Sequence, residues 1–139
     1  MPVRTLAALM LVASLGLGAP GPALAQDHDG HAGALALNHG AKWNTDAPLR
    51  QGMTTIRRTV EAAPQELADV VEVQVAYIIE NCRLPPEADA NLHLVIEQLI
   101  EGAEGLRIGD GARGRGEVIA ALNAYGSHFD HPDWRPIVP

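Results

Sequence analysis

The sequence contains a single cysteine, Cys82, so this chain cannot form an internal disulfide and must be stabilised by packing. An unpaired thiol in an oxidising compartment is open to reaction unless it is buried, bound to a metal or joined to another chain. A buried, inert thiol is the simplest alternative. The role of Cys82 therefore depends on where the fold places it.

The N-terminal apolar run, from Leu6 to Leu17, is shorter than the roughly 20 residues that a membrane-spanning helix needs. It follows a basic start at Arg4 and precedes Ala23-Leu24-Ala25, where small residues are typical of a cleavage site. This pattern predicts a signal peptide over residues 1–25, export to the periplasm, and no membrane attachment after cleavage. The remaining 114 of the 139 residues are enough for one domain.

Basic residues are few. After removal of residues 1–25, nine Lys and Arg stand against 17 Asp and Glu, which gives a net charge of −8 with neutral histidines. A nucleic acid is a poor partner for such a surface. An acidic exported protein instead attracts cations and basic protein partners, although a charged surface kept for solubility is the simpler interpretation.

Residues 26–42 are rich in Gly, Ala, His and Asp and show no sustained periodicity, which predicts a flexible arm. Cleavage before Gln26 would place His28 third from a free amine. The amine, two ionised amides and the imidazole form a square-planar set that suits Cu(II) or Ni(II), and His31 adds a further donor. The alternatives are a polar tail with incidental histidines, or loss of the amine by cyclisation of Gln26.

Four amphipathic segments follow, each with apolar residues at helical spacing. The first begins at a Thr45 or Asp46 N-cap with Pro48 in its first turn and ends at Ala63-Pro64. The others are predicted over residues 64–82, 87–106 and 116–129, with the glycine-rich segment 102–116 as a helix end and loop. The residues predicted to face inward are Leu49, Met53, Ile56, Val60, Leu67, Val71, Val75, Ile78, Cys82, Leu92, Ile96, Leu99, Ala103, Leu106, Val118, Leu122, Tyr125 and Phe129.

Short connections between these segments predict an all-α, up-and-down antiparallel four-helix bundle over residues 43–139, as a monomer or weak dimer. The β-branched residues of segment 70–79 favour a strand by propensity alone, but the length and the spacing favour a helix. Trp134 and Ile137, in a tail with three prolines, are expected to pack back over the bundle.

Soft and imidazole ligands occur about once per helix in this arrangement. An antiparallel bundle is expected to bring Met53, Cys82, His93 and His128 to one end, with His131 as a substitute donor just beyond the last helix. A thioether, a thiolate and imidazoles favour copper, and Cu(I) in particular. The alternative is that these side chains simply fill the core and its rim.

Met53 early in the first helix and Asn123-Ala124-Tyr125 in the last helix resemble the soluble b-type cytochromes of the periplasm, which are exported four-helix bundles. That resemblance implies haem b held by a methionine and a histidine. Here Gly126 follows Tyr125 and the histidine lies two residues further on, at His128. The chain also lacks the Cys-x-x-Cys-His sequence that attaches haem covalently.

A second resemblance covers residues 43–53, 80–93 and 123–134. These stretches are similar to periplasmic proteins labelled DnrO-type. The resemblance implies an exported protein in a metal-responsive or respiratory setting.

No serine–histidine–acid set, paired carboxylates or acidic metal cage is apparent, so the sequence predicts no enzymatic activity. Asp130 beside His131 is more simply a polar cluster at a helix end. Three functions remain open: a copper-binding bundle, a b-type haem electron-transfer protein, and a structural or interaction bundle without a ligand.

Overall fold

The computed structural model describes residues 33–138, which form the predicted all-α four-helix bundle. The helices are α1 (Ala47–Thr59), α2 (Pro64–Asn81), α3 (Pro86–Arg107) and α4 (Gly111–His128). Two short strands, β1 (Trp43–Asn44) and β2 (Phe129–Asp130), pair in parallel and join the entry to α1 with the exit from α4. These two strands, of two residues each, are the only regular strands within residues 33–138.

The apolar faces of the four helices form the core. Every residue predicted to face inward is buried except Cys82, which is half-buried at the end of α2. Segment 70–79 is helical throughout, which confirms that spacing outweighs β propensity there. Burial of these apolar faces is the main stabilising contribution, since no disulfide is available.

The first three helices begin where the local sequence favours a helix start. Asp46 caps α1 by accepting a hydrogen bond from the backbone N–H of Leu49 at 2.9 Å. Pro64 and Pro86 occupy the first turns of α2 and α3, where a missing N–H costs no helical hydrogen bond.

The connection between α3 and α4 differs from the prediction. Only residues 108–110 lie outside the two helices, so α4 begins at Gly111, five residues earlier than expected. The glycines permit close helix contact rather than forming a loop: a Cβ added at Gly114 would lie 2.5 Å from Leu106 N and 2.6 Å from Gly102 O. The predicted helix end near Leu106 is confirmed, whereas the predicted loop from there to Gly116 was too long.

The C-terminal tail packs over the bundle as expected. Asn123 of α4 holds the tail through two hydrogen bonds. Its side-chain N–H donates to the Ile137 carbonyl at 2.9 Å, and its side-chain oxygen accepts from the Ile137 N–H at 2.8 Å. Trp134 lies against Gly126 of α4, and the Arg57 guanidinium of α1 lies 5.6 Å from the centre of the Trp134 ring. The tail therefore bridges α1 and α4.

Residues 33–42, which belong to the predicted arm, also contact the helices. The Ala36 N–H donates to Asn91 Oδ1 of α3 at 2.8 Å, and its carbonyl accepts from Trp43 Nε1 at 2.7 Å. Lys42 Nζ donates to the Gly126 carbonyl at 2.6 Å. This part of the segment is held on the bundle surface by hydrogen bonds and by partial burial of Leu35.

Candidate metal centre

Cys82 lies where three parts of the chain meet. It ends α2, and its backbone N–H donates to the Ile78 carbonyl at 2.8 Å. Its thiol lies close to the carboxylate of Asp46, the cap of α1. The second carboxylate oxygen of Asp46 accepts from the Arg83 N–H at 2.7 Å. Asp46 therefore joins the start of α1 to the end of α2 and to the loop that follows it.

These contacts change the pKa values of Cys82 and Asp46. Burial raises the pKa of the Cys82 thiol to about 12, and the hydrogen bond to Asp46 and the charges of Asp46 and Asp89 add to this effect. Burial also pushes the pKa of Asp46 upward, but the hydrogen bonds from Arg83, Leu49 and Cys82 outweigh it and leave that pKa lowered. Cys82 is thus a protonated thiol at neutral pH and a poor nucleophile.

His93 is presented on an exposed face of α3. Its Nδ1 lies 2.9 Å from the Asp89 carbonyl oxygen, four residues earlier, and 3.5 Å from a carboxylate oxygen of the same residue. Because a carbonyl only accepts, Nδ1 carries the proton in this contact and Nε2 keeps a free lone pair in the neutral ring. In most histidines that bind metals, the ring nitrogen that does not bind the metal donates a hydrogen bond of this kind, which orients the ring.

Cys82 and His93 line the same cavity, about 160 Å³ in volume, between α2 and α3. We call it the Cys82 cavity. Asp89 is its other polar residue, and its apolar lining consists of Ile78, Ile79, Leu92 and Ile96. The fold thus brings together a soft sulfur and an imidazole from facing helices.

Met53 lies deeper in the bundle. Its side chain is fully buried, and the neighbouring Gly52 packs against Ile78, where an added Cβ would come within 2.6 Å of Ile78 Cγ1. Cys82 is four residues beyond Ile78, about 6 Å further along the axis at 1.5 Å per residue. Met53 is therefore not level with Cys82, because the α1 residue that meets Cys82 is Asp46.

His128 and His131 occupy other surroundings. The half-buried His128 has its Nδ1 2.8 Å from the Ala124 carbonyl oxygen. The Nδ1 of His131 lies 2.9 Å from the Tyr125 hydroxyl, and its ring centre lies 4.8 Å from that of Trp134. Burial, reinforced by the charge of Arg50, lowers the pKa of His131. Arg50 and Arg58 share a cavity with His131, and their charges oppose a cation there.

Within residues 33–138, no group of three or more His, Cys, Asp and Glu side chains is arranged to hold a metal ion. Cys82 and His93 are two potential ligands that line one cavity. His28 and His31, the predicted Cu(II) ligands, lie outside the described residues.

Sequence reasoning did not identify Asp46 and Asp89 as partners of the candidate ligands. Signals for both were present. Asp46 was a predicted N-cap, and Asp89 precedes His93 by four residues, the spacing at which helical side chains are neighbours.

Comparison with protein-family models, with curated proteins and with solved structures gives no match to this chain. None of the helices described is both long and apolar enough to cross a membrane.

Proposed function

We propose that this protein is a periplasmic helical bundle that binds Cu(I) through Cys82 Sγ and His93 Nε2. The observation that carries the proposal is the shared Cys82 cavity, which is lined by a sulfur at the end of α2 and by an imidazole of α3. Export is supported by the leader-like residues 1–25.

The number and type of donors favour Cu(I). A thiolate selects soft ions, and Cu(I) is stable with as few as two donors, whereas Zn(II) sites usually have four ligands. Ile78, Leu92 and Ile96, which line the cavity, provide apolar surroundings on one side of the proposed site. The hydrogen bond from His93 Nδ1 to the Asp89 carbonyl fixes the ring with Nε2 as the donor.

Binding requires that Cys82 lose its proton. Because the pKa of the thiol is about 12, the metal must displace one proton at any pH near neutrality. We expect the apparent Cu(I) affinity to rise by about tenfold per pH unit between pH 7 and pH 9 from this displacement alone. Titrations in buffers of different pH, with a chelator of known proton affinity as competitor, measure the slope. A flat profile would contradict coordination by Cys82.

Substitution of the two ligands tests the site directly. Under anaerobic conditions, Cys82→Ser and His93→Gln are each expected to weaken Cu(I) binding by at least about 100-fold, since neither replacement supplies an equivalent soft or imidazole donor. Competition with a chromophoric Cu(I) chelator gives the affinities, and circular dichroism verifies the helicity of each variant.

Two matched controls separate this site from the other candidates. Met53→Leu conserves volume in the core, and His128→Gln removes an imidazole from another part of the bundle, so both should bind Cu(I) as the wild type does. Loss of binding in either variant, with helicity unchanged, would contradict the assignment. Haem added to the purified protein is expected to give no b-type cytochrome spectrum. If such a spectrum appeared in the wild type and was lost in Met53→Leu, the cytochrome alternative would be favoured. If the wild type binds neither ligand, the plain interaction bundle remains.

A further inference from the structure

Charge is divided unequally among the helices. Together, α2 and α3 carry nine acidic residues and one arginine, Arg107, whereas α1 carries three arginines and no acid. Arg107 is itself paired with Asp69 at 3.0 Å and with Glu72. Glu97 and Glu101 lie on another side of α3, in a cavity with Glu117 of α4. Where α2 meets α3, the carboxylates of Asp69, Glu72 and Glu104 outnumber Arg107, whose charge is already engaged, so this face is acidic.

An apolar groove runs along this acidic face, with a cavity of about 420 Å³ at its centre. Buried Val71, Val75 and Ala103 form its floor, and Ile79 and Ile100 form its sides. Ile79 is 61% exposed and Ile100 is 41% exposed, so the groove presents two large apolar side chains together at the surface. Glu72, Glu104 and Arg107 lie at the rim.

The groove extends toward the loop between α2 and α3. Ile79 lines both the central cavity and the Cys82 cavity, so the two are adjacent. From Val71 to Cys82, the lining of the two adjacent cavities extends over 11 residue steps of α2 and its C-cap, or about 16 Å at 1.5 Å per residue. That is the length of about three helical turns.

We propose that this α2–α3 groove binds an amphipathic helix of another protein, one with an apolar stripe flanked by Lys and Arg. The apolar floor fits the stripe, and the acidic rim is complementary to the flanking cations. A second copy of this chain that presents the same face does not fit, because Asp69, Glu72 and Glu104 of one copy would lie opposite those of the other. An anionic membrane is repelled for the same reason. The proposal does not depend on copper binding.

The probe is a fluorescently labelled synthetic helix of about 14 residues, with Leu at positions i, i+3, i+4 and i+7 and Lys beside the stripe. The full mature protein should bind it saturably in the micromolar range, with affinity that falls as salt is raised. A peptide of the same composition, reordered so that the leucines do not share a face, should bind at least tenfold more weakly. Equal binding of both peptides would show mere charge attraction and would overturn the proposal.

Two pairs of variants locate the binding surface. Replacing both Ile79 and Ile100 with Ser should weaken peptide binding at least tenfold, whereas Ile108→Ser, at an 81% exposed position outside the groove, should not. Glu104→Lys at the rim should weaken binding about fivefold, while Glu61→Lys makes the same charge change in the turn before α2 and should have little effect. All of these side chains are exposed, so the variants are expected to fold.

The two rejected occupants are tested with the same samples. Sedimentation should show no dimer that the Ile79 and Ile100 substitutions abolish, and vesicles containing anionic lipid should not bind the protein. Either observation would overturn the proposal, as would unchanged peptide binding in the double Ser variant.

Discussion

Gly114→Ala is expected to destabilise the bundle by about 3 kcal/mol or more, the upper part of the range for overpacked sites. An added Cβ would lie 2.5 Å from Leu106 N, 2.6 Å from Gly102 O and 2.9 Å from Gly105 C. All three are backbone atoms of α3, so no side chain can rotate away. The helices can accept the methyl group only by separating, which opens the core along their whole contact.

Gly116→Ala provides the matched control. It lies two residues further along α4, and nothing lies within 4 Å of an added Cβ there. This substitution should stabilise the protein by about 0.5–1 kcal/mol, because alanine loses less conformational entropy in a helix than glycine does. Urea unfolding followed by circular dichroism measures both free energies. If the two variants had similar stability, the close approach of α3 and α4 would be contradicted.

Asp46→Ala is expected to cost about 2–4 kcal/mol, because it removes the cap of α1 and a charge-assisted hydrogen bond to the Arg83 N–H. Asp46→Asn keeps a good capping residue but has one acceptor oxygen where the carboxylate has two. It should therefore fall between the wild type and the alanine variant. Urea unfolding at pH 7 gives the order, and an order other than wild type, Asn, Ala would contradict this role.

The effect of Asp46 should also depend on pH. The folded pKa of Asp46 is lowered from 3.8, so its ionised form contributes stability that is present above that value and lost as pH falls through the folded pKa. The difference in unfolding free energy between wild type and Asp46→Ala should therefore shrink between pH 5 and pH 2. In addition, the alanine variant should react faster with an alkylating reagent at pH 8, because Asp46 helps to raise the pKa of Cys82.

The core could be predicted from the sequence because each helix carries its apolar residues at an unbroken helical spacing. Leu49, Met53 and Ile56 in α1 are examples, and all are fully buried. The start of α4 could not be predicted in the same way. By helix propensity alone, Gly111, Gly114 and Gly116 disfavour a helix. They are nevertheless helical, because the absence of a side chain at Gly114 lets α3 and α4 pack closely together.

The candidate site was predictable only in part. Antiparallel order places the end of α2 beside the start of α3, and this is how Cys82 and His93 come to share a cavity. The position of Met53 along the bundle axis could not be predicted from the order of the helices alone, because it also depends on the axial offset between α1 and α2. The contact between Gly52 and Ile78 sets that register and leaves Asp46, rather than Met53, beside Cys82.

X-ray absorption spectroscopy of the Cu(I)-loaded protein tests the proposed site most directly. The protein, prepared without tags and loaded with one equivalent of Cu(I) under anaerobic conditions, should show one sulfur and one imidazole nitrogen bound to copper. The sulfur should be absent in Cys82→Ser and the imidazole scattering absent in His93→Gln. Two sulfur donors, which would bring in Met53 or a second chain, or a copper environment unchanged in either variant, would contradict the proposal.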